Sequence, residues 1–119
     1  MLTFNLKKQW FDKIKSGEKR HEYRLQNKYW ISRIKNFIGW NNVKERLDNA
    51  IDNGGYFECN IPVNTPYSRV CCFACGYPKK DNKEKRLYGF ITKISANIDG
   101  RETDLDINEP VFDIEFELI

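Results

Sequence analysis

One histidine, His21, is all the imidazole that the 119-residue chain holds. A catalytic histidine pair is therefore excluded, as is a zinc site built from several histidines. Long apolar runs are also missing. Nothing approaches the ~18 consecutive apolar residues of a membrane-spanning helix, and the mean hydropathy is −0.69. No apolar segment follows the first lysines, so no secretory signal is expected. The seven glycines are scattered, and no glycine-rich phosphate loop occurs. Internal repeats and low-complexity segments are absent. Of four cysteines, Cys71, Cys72 and Cys75 fall within five residues, a poor layout for a disulfide framework. Reduced thiols in a cytoplasm are the expectation.

What is present suits one globular domain over residues 1–119. Apolar residues make up 40% and aromatics 14%, enough for a core and against disorder. Charge is uneven. Residues 1–50 carry 12 Lys and Arg against five acids, whereas the last 21 carry eight acids and one base. An acidic end on a basic body suggests one positive and one negative face, the positive one suited to RNA or DNA.

Periodicity predicts the elements. Leu2 to Leu6 alternates like a half-buried strand. Trp10, Phe11 and Ile14 then recur at helical spacing, and Gly17 stops that helix. Lys19 to Leu25 is extended, with His21, Tyr23 and Leu25 on one side and Arg20, Glu22 and Arg24 on the other. Trp30, Ile34, Phe37 and Ile38 stripe a second helix closed by Gly39. A third, capped by Asn41 or Asn42, buries Val43, Leu47, Ala50 and Ile51. These two helices form an insertion over about 27–53. Strand alternation returns at Phe57, Cys59 and Ile61. Pro62 to Ser68 reads as a loop, Arg69 to Cys75 as a buried strand, Gly76 to Arg86 as a basic loop, and Leu87 to Ala96 as a strand. Asn97-Ile98-Asp99-Gly100 signals a turn, with a short strand expected at Arg101 to Ile107. Val111 to Leu118 closes the chain with the clearest alternation. The order predicts an α+β fold: a mixed or antiparallel, partly closed β-barrel flanked by about three helices.

The run Gly17-Glu18-Lys19-Arg20-His21-Glu22-Tyr23-Arg24 concentrates chemistry where a turn feeds a strand. That placement can bring the Lys19 amine, Glu22 carboxylate and Arg24 guanidinium to one pocket. A carboxylate accepts from a base amine, a guanidinium grips a carbonyl or phosphate, and a shielded lysine serves as base or nucleophile. The alternative is a solvated salt-bridge strip.

Here the chain resembles a family. Leu2–Leu6, Trp10-Phe11-Asp12-Lys13-Ile14 and the Gly-x-Lys-x-x-Glu-x-Arg run from Gly17 to Arg24 resemble the opening signature of ASCH domains, which are PUA-like β-barrels. Val70 to Tyr77, with Gly76-Tyr77 at its end, resembles the family's barrel strand. Leu87 to Ile94 and Phe112 to Phe116 resemble later strands. The resemblance covers most of the chain and is weakest across Gln26 to Pro66. It implies a cleft beside the barrel, lined by Lys19–Arg24, that binds RNA or a modified nucleoside. Some members resemble amidohydrolases that deacylate N4-acetylcytidine, with the motif lysine catalytic, a threonine three residues later assisting, and a third, acidic residue. Lys19 matches the lysine. Glu22 stands in place of the threonine, and the acid has no aligned counterpart. Other members look like ribonucleases.

The remaining candidates are weaker. Cys72-x-x-Cys75 has zinc-ligand spacing, with Cys59 and His21 or Cys71 to complete four. Residues three apart on a strand face opposite ways, however, so no metal and no cofactor is expected. His21 reads as a structural or rim residue. Lys79 to Arg86 can touch phosphates or stand as a solvated loop. Tyr23, Trp30, Trp40 and Tyr77 are stacking candidates, Tyr77 foremost because it follows a glycine at a strand end. The expectation is thus an RNA- or nucleoside-binding protein in which Lys19, Glu22, Arg24 and Tyr77 contact the ligand. A small amidohydrolase using Lys19 and Glu22, or a ribonuclease, is the first alternative. A protein-interaction module meeting a basic partner through the acidic end is the second.

Overall fold

In a computed structural model, described for residues 1–62 and 69–119, apolar residues of all three helices join the strands in one core. The elements run β1 (Leu2–Leu6), α1 (Lys8–Lys15), β2 (His21–Leu25), α2 (Lys28–Ile38), α3 (Asn41–Asn53), β3 (Phe57–Asn60), β4 (Val70–Cys75), β5 (Arg86–Asp99) and β6 (Pro110–Leu118). The six strands form one mixed sheet ordered β1-β4-β5-β6-β2, with β3 paired to β5 off that path. Among the described residues, only β1 and β4 run parallel, Leu2 opposite Cys71 through Leu6 opposite Cys75. The 14-residue β5 organises the rest: its first half pairs with β4, its second half with β3, and β6 lies along much of its length. The fold is α+β, a curled half-barrel with three helices. Among the described residues, no helix is long and apolar enough to cross a membrane.

The core is built where the sheet curls. Phe4, Phe73 and Phe116 are buried, with ring centroids 5.6 Å apart for Phe4 and Phe73 and 4.4 Å for Phe73 and Phe116. Trp30 of α2 lies 5.4 Å from Phe4, so the second helix is fastened to the edge strand β1. Ile34, Ile38 and Leu47 complete the helical side and are all fully buried. Asn27 caps α2 by accepting from the Trp30 N–H at 2.9 Å.

Several expectations are corrected. Helix α3 begins at Asn41 behind Trp40 and has no side-chain cap, so neither Asn41 nor Asn42 caps it. The signal at Asn97 is not a turn. Asn97 adopts φ +61° inside β5, where the pairing with β6 slips between Ser95 and Ile98. Asparagine tolerates that left-handed conformation. Here its side-chain amide donates to the carbonyls of Ala50, at 2.9 Å, and Gly55, tying a bulge to the end of α3. The chain turns instead at Gly100. No strand forms over residues 101–107, which make a short 3-10 turn and a loop. An added Cβ on Gly100 would lie 2.5 Å from the Glu109 carbonyl oxygen and 2.6 Å from that of Ile107, so only glycine lets the loop fold back this tightly. Most of the loop expected over Pro62 to Ser68 lies outside the described residues. Nor do the acids of the C-terminal stretch simply make a negative face. Asp104 pairs with Lys19, Asp113 with the His21 imidazole, and Glu115 with Lys93.

Candidate site at the open seam

The sheet has two ends, β1 and β2, and they approach without pairing. One bond crosses between them, from Arg24 Nη2 to the Asn5 carbonyl at 3.2 Å. The seam opens into a cavity of about 340 Å³. Asn5 and Leu6 of β1 form one wall, and Glu22, Tyr23 and Arg24 of β2 the other. Trp10, Trp30 and the Asp104–Leu105 turn close the remaining sides.

Strand alternation puts Glu22 and Arg24 on the same side of β2. Unusually, that polar side faces inward. The Glu22 side chain is 6% exposed, that of Lys19 9% and that of Arg24 20%. A solvated salt-bridge strip is therefore ruled out. Lys19 arrives by another route. Gly17, at φ +85°, lets the chain leave α1 sharply, and the Lys19 N–H donates back to the Lys13 carbonyl at 3.1 Å. Its Nζ then lies 3.8 Å from Glu22 Oε1 and pairs directly with Asp104 Oδ2. The same ammonium sits 5.3 Å from the ring centroids of both Trp10 and Tyr23. Arg24 is held similarly, 4.9 Å from the Trp30 ring and 5.3 Å from Phe4. A cation placed over an aromatic face is attracted by the ring quadrupole.

Glu22 is the least satisfied member. Its Oε1 accepts from the Tyr23 N–H at 3.1 Å. Its Oε2 lies 3.7 Å from Arg24 Nη2, within ion-pair range, yet accepts no hydrogen bond among the described residues. Arg24 Nε likewise has no acceptor there. Burial pushes the Glu22 carboxyl above the usual range, and the Arg24 and Lys19 cations only partly pull it back. Burial also raises the Tyr23 phenol, assisted by Asp113, Asp104 and Glu22.

Lys19, Glu22 and Arg24 thus come together as the sequence suggests. Tyr77 does not join them. It is 91% exposed beyond Gly76 and is not part of the cavity wall. Trp40 also lies elsewhere, beside Arg69. The residue that sequence reasoning missed is Asp104. It is 85 positions from Lys19, in a stretch whose composition suggests a strand, and only the folded turn brings it to the seam. Trp10, which reads from its helical stripe as a packing residue, is half-buried and faces the cavity. Among the described residues, no three His, Cys, Asp or Glu side chains are grouped to hold a metal ion.

No known family model, curated protein or solved structure compared with the chain matches it.

Proposed function

We propose that the seam cavity takes a nucleobase and that the protein binds RNA or a modified nucleoside through it. The observation that carries this reading is the buried Glu22 carboxylate, with Oε2 unbonded beside an unbonded Arg24 Nε. A buried polar atom without a partner costs roughly 1–3 kcal/mol, which a ligand recovers by supplying one. An acceptor next to a donor suits the edge of a base, where an amine or ring N–H adjoins a carbonyl. Trp10, Tyr23 and Trp30 line the cavity, and an aromatic lining suits a flat ring. Charge supports the same choice: Lys19 and Arg24 are set against Glu22 and Asp104, so the inner cavity favours a neutral heterocycle over a phosphate. Its volume sits near the lower end of small-molecule pockets, roughly 300–1,000 Å³, which suits one nucleoside. The resemblance to ASCH domains points to this segment as the ligand cleft, and the curled mixed sheet is compatible with a PUA-like barrel.

A thermal-shift screen against nucleosides, acylated cytidines and short RNAs tests the reading, because a bound ligand stabilises by mass action. Glu22→Gln and Arg24→Ala should each weaken the hit about tenfold or more, the worth of one charge-assisted hydrogen bond. A screen with no hit, or a hit that both variants bind as tightly as the wild type, would remove the proposal.

One observation favours a second reading, the amidohydrolase. The Lys19 amine is largely shielded between two carboxylates, Glu22 and Asp104, an arrangement able to move a proton during attack on an amide. Asp104 would then serve as the acid that the sequence leaves unassigned. Incubation with N4-acetylcytidine should release cytidine and acetate, and Lys19→Ala should stop it. Absence of turnover by the wild type eliminates this reading and leaves the binding one intact.

A further inference from the structure

A second concavity, larger than the seam, lies on the other side of the first turn of α2. It measures about 700 Å³. Tyr29, Ser32, Arg33 and Asn36 line it from one face of α2, and Arg69 faces them from the start of β4. We propose that this cleft binds phosphate, holding the backbone of the strand whose base enters the seam. The strand's identity rests on the nucleobase reading of the seam; the phosphate affinity does not.

Charge is the first ground. The cleft is lined from residues 1–2, 29–37 and 69–70, and each segment comes from a stretch without acids. Residues 1–11, 23–44 and 59–80 contain no Asp or Glu. No carboxylate from these stretches can neutralise the arginines, unlike the seam, where Lys19 and Arg24 face Glu22 and Asp104. Among the described residues, neither Arg33 nor Arg69 is in an ion pair.

Preorganisation is the second. The Arg33 guanidinium carbon lies 4.7 Å from the Tyr29 ring centroid. Arg69 sits 5.4 Å from both the Phe37 and Trp40 rings, and its Nη2 donates to the Ile38 carbonyl at 3.4 Å. Its Nε is buried with no hydrogen-bond partner among the described residues. A guanidinium beside an aromatic ring keeps several N–H donors, and two of them can grip two phosphate oxygens. Ser32 and Asn36, one turn apart on α2, add neutral donors.

Continuity is the third. Tyr29 lines the cleft, and its neighbour Trp30 lines the seam, with the two rings edge to face at 5.1 Å. A strand with a base in the seam therefore needs to cross only this aromatic pair to lay a phosphate between Arg33 and Arg69.

The test titrates the intact protein with a 5′-hydroxyl RNA hexanucleotide and, separately, with inorganic pyrophosphate, across a salt series. Arg33 is exposed, so Arg33→Ala leaves the fold in place. Arg69→Lys keeps the charge but removes the fork. For single strands, log K falls by about 0.7 per phosphate for each decade of salt. Arg33→Ala should reduce the slope by about 0.7, which at 50 mM salt is roughly eightfold weaker binding. Free-nucleoside affinity at the seam should not change. If only the hexanucleotide is affected, the source is a strand; if pyrophosphate binding falls equally, it is a small phosphate compound. Failure of the wild type to bind any nucleoside would overturn the seam reading while an Arg33 effect still upheld the phosphate site. Wild-type affinity and slope for both probes in Arg33→Ala and Arg69→Lys would overturn this one.

Discussion

Lys19→Met probes how far the seam is removed from water. The substitution keeps the length of the side chain and deletes its charge, leaving Glu22 and Asp104 facing each other without the ammonium. Lys19 and Glu22 are 9% and 6% exposed, so the comparison is with buried pairs. Breaking those from one side costs about 3–5 kcal/mol, against about 0–1 kcal/mol for an exposed pair. Arg24 remains near Glu22, so the lower figure applies. Unfolding entropy of about 2.1 cal/mol/K per residue gives ~0.25 kcal/mol/K for this chain, and a loss of about 3 kcal/mol lowers Tm by ~12 °C. The cost also depends on pH. Removing the cation raises the Glu22 carboxyl further in the folded state only. The folded variant then holds a proton that the unfolded chain releases above about pH 4.3, so its stability falls as pH rises. Urea denaturation at pH 4.5 and pH 8 should show a deficit that is small at the lower value and full at the higher. A deficit below 1 kcal/mol at both would mean that the three groups behave as solvated charges, and the site argument would fail with it.

Glu22→Gln should move the other way. Because the folded carboxyl is raised by burial, wild-type stability falls as pH climbs through the interval above the unfolded value. The amide lacks this loss, so Glu22→Gln gains on the wild type from about pH 4.3 upward in paired urea titrations; a constant difference from pH 4 to 8 contradicts it. Gly100→Ala forces the loop away from two carbonyl oxygens and should cost about 1–3 kcal/mol. It should also weaken ligand binding through Asp104, and unchanged calorimetric binding would dissociate the loop from the site. The Cys71 thiol is pushed up to about 12, chiefly by burial. Iodoacetamide at pH 8 should therefore spare it in the native protein and reach the half-buried Cys75 first, as peptide mass spectrometry would report.

Legibility in the sequence followed the range of the interaction. Trp30, Ile34 and Ile38 announce α2, and Phe112, Ile114 and Phe116 announce β6, because each stripe meets one contiguous core. The side-sharing of Glu22 and Arg24 was equally readable, since it needs only strand alternation. Their inward direction was not. Hydrophobic patterning argues for burying Tyr23 and Leu25, yet Glu22 is the buried residue of this strand and Leu25 is exposed. Asp104 had no local signal: its role depends on a turn set by Gly100 meeting a residue 85 positions away. Asn97 shows the same limit on a smaller scale. Its composition says turn, but partners on α3 and at Gln26 make it a bulge within a continuous strand. Tyr77 fell outside the site because a glycine at a strand end says that the chain turns, not toward what.

The pairing of β2 has a consequence for synthesis. Its sheet neighbour is β6, the last strand of this chain. A nascent polypeptide emerging from the ribosome can assemble α2, α3 and much of the sheet while residues 21–25 still wait for a companion. The wall carrying Glu22 and Arg24 is therefore fixed in place only once residues 110–118 have joined the sheet.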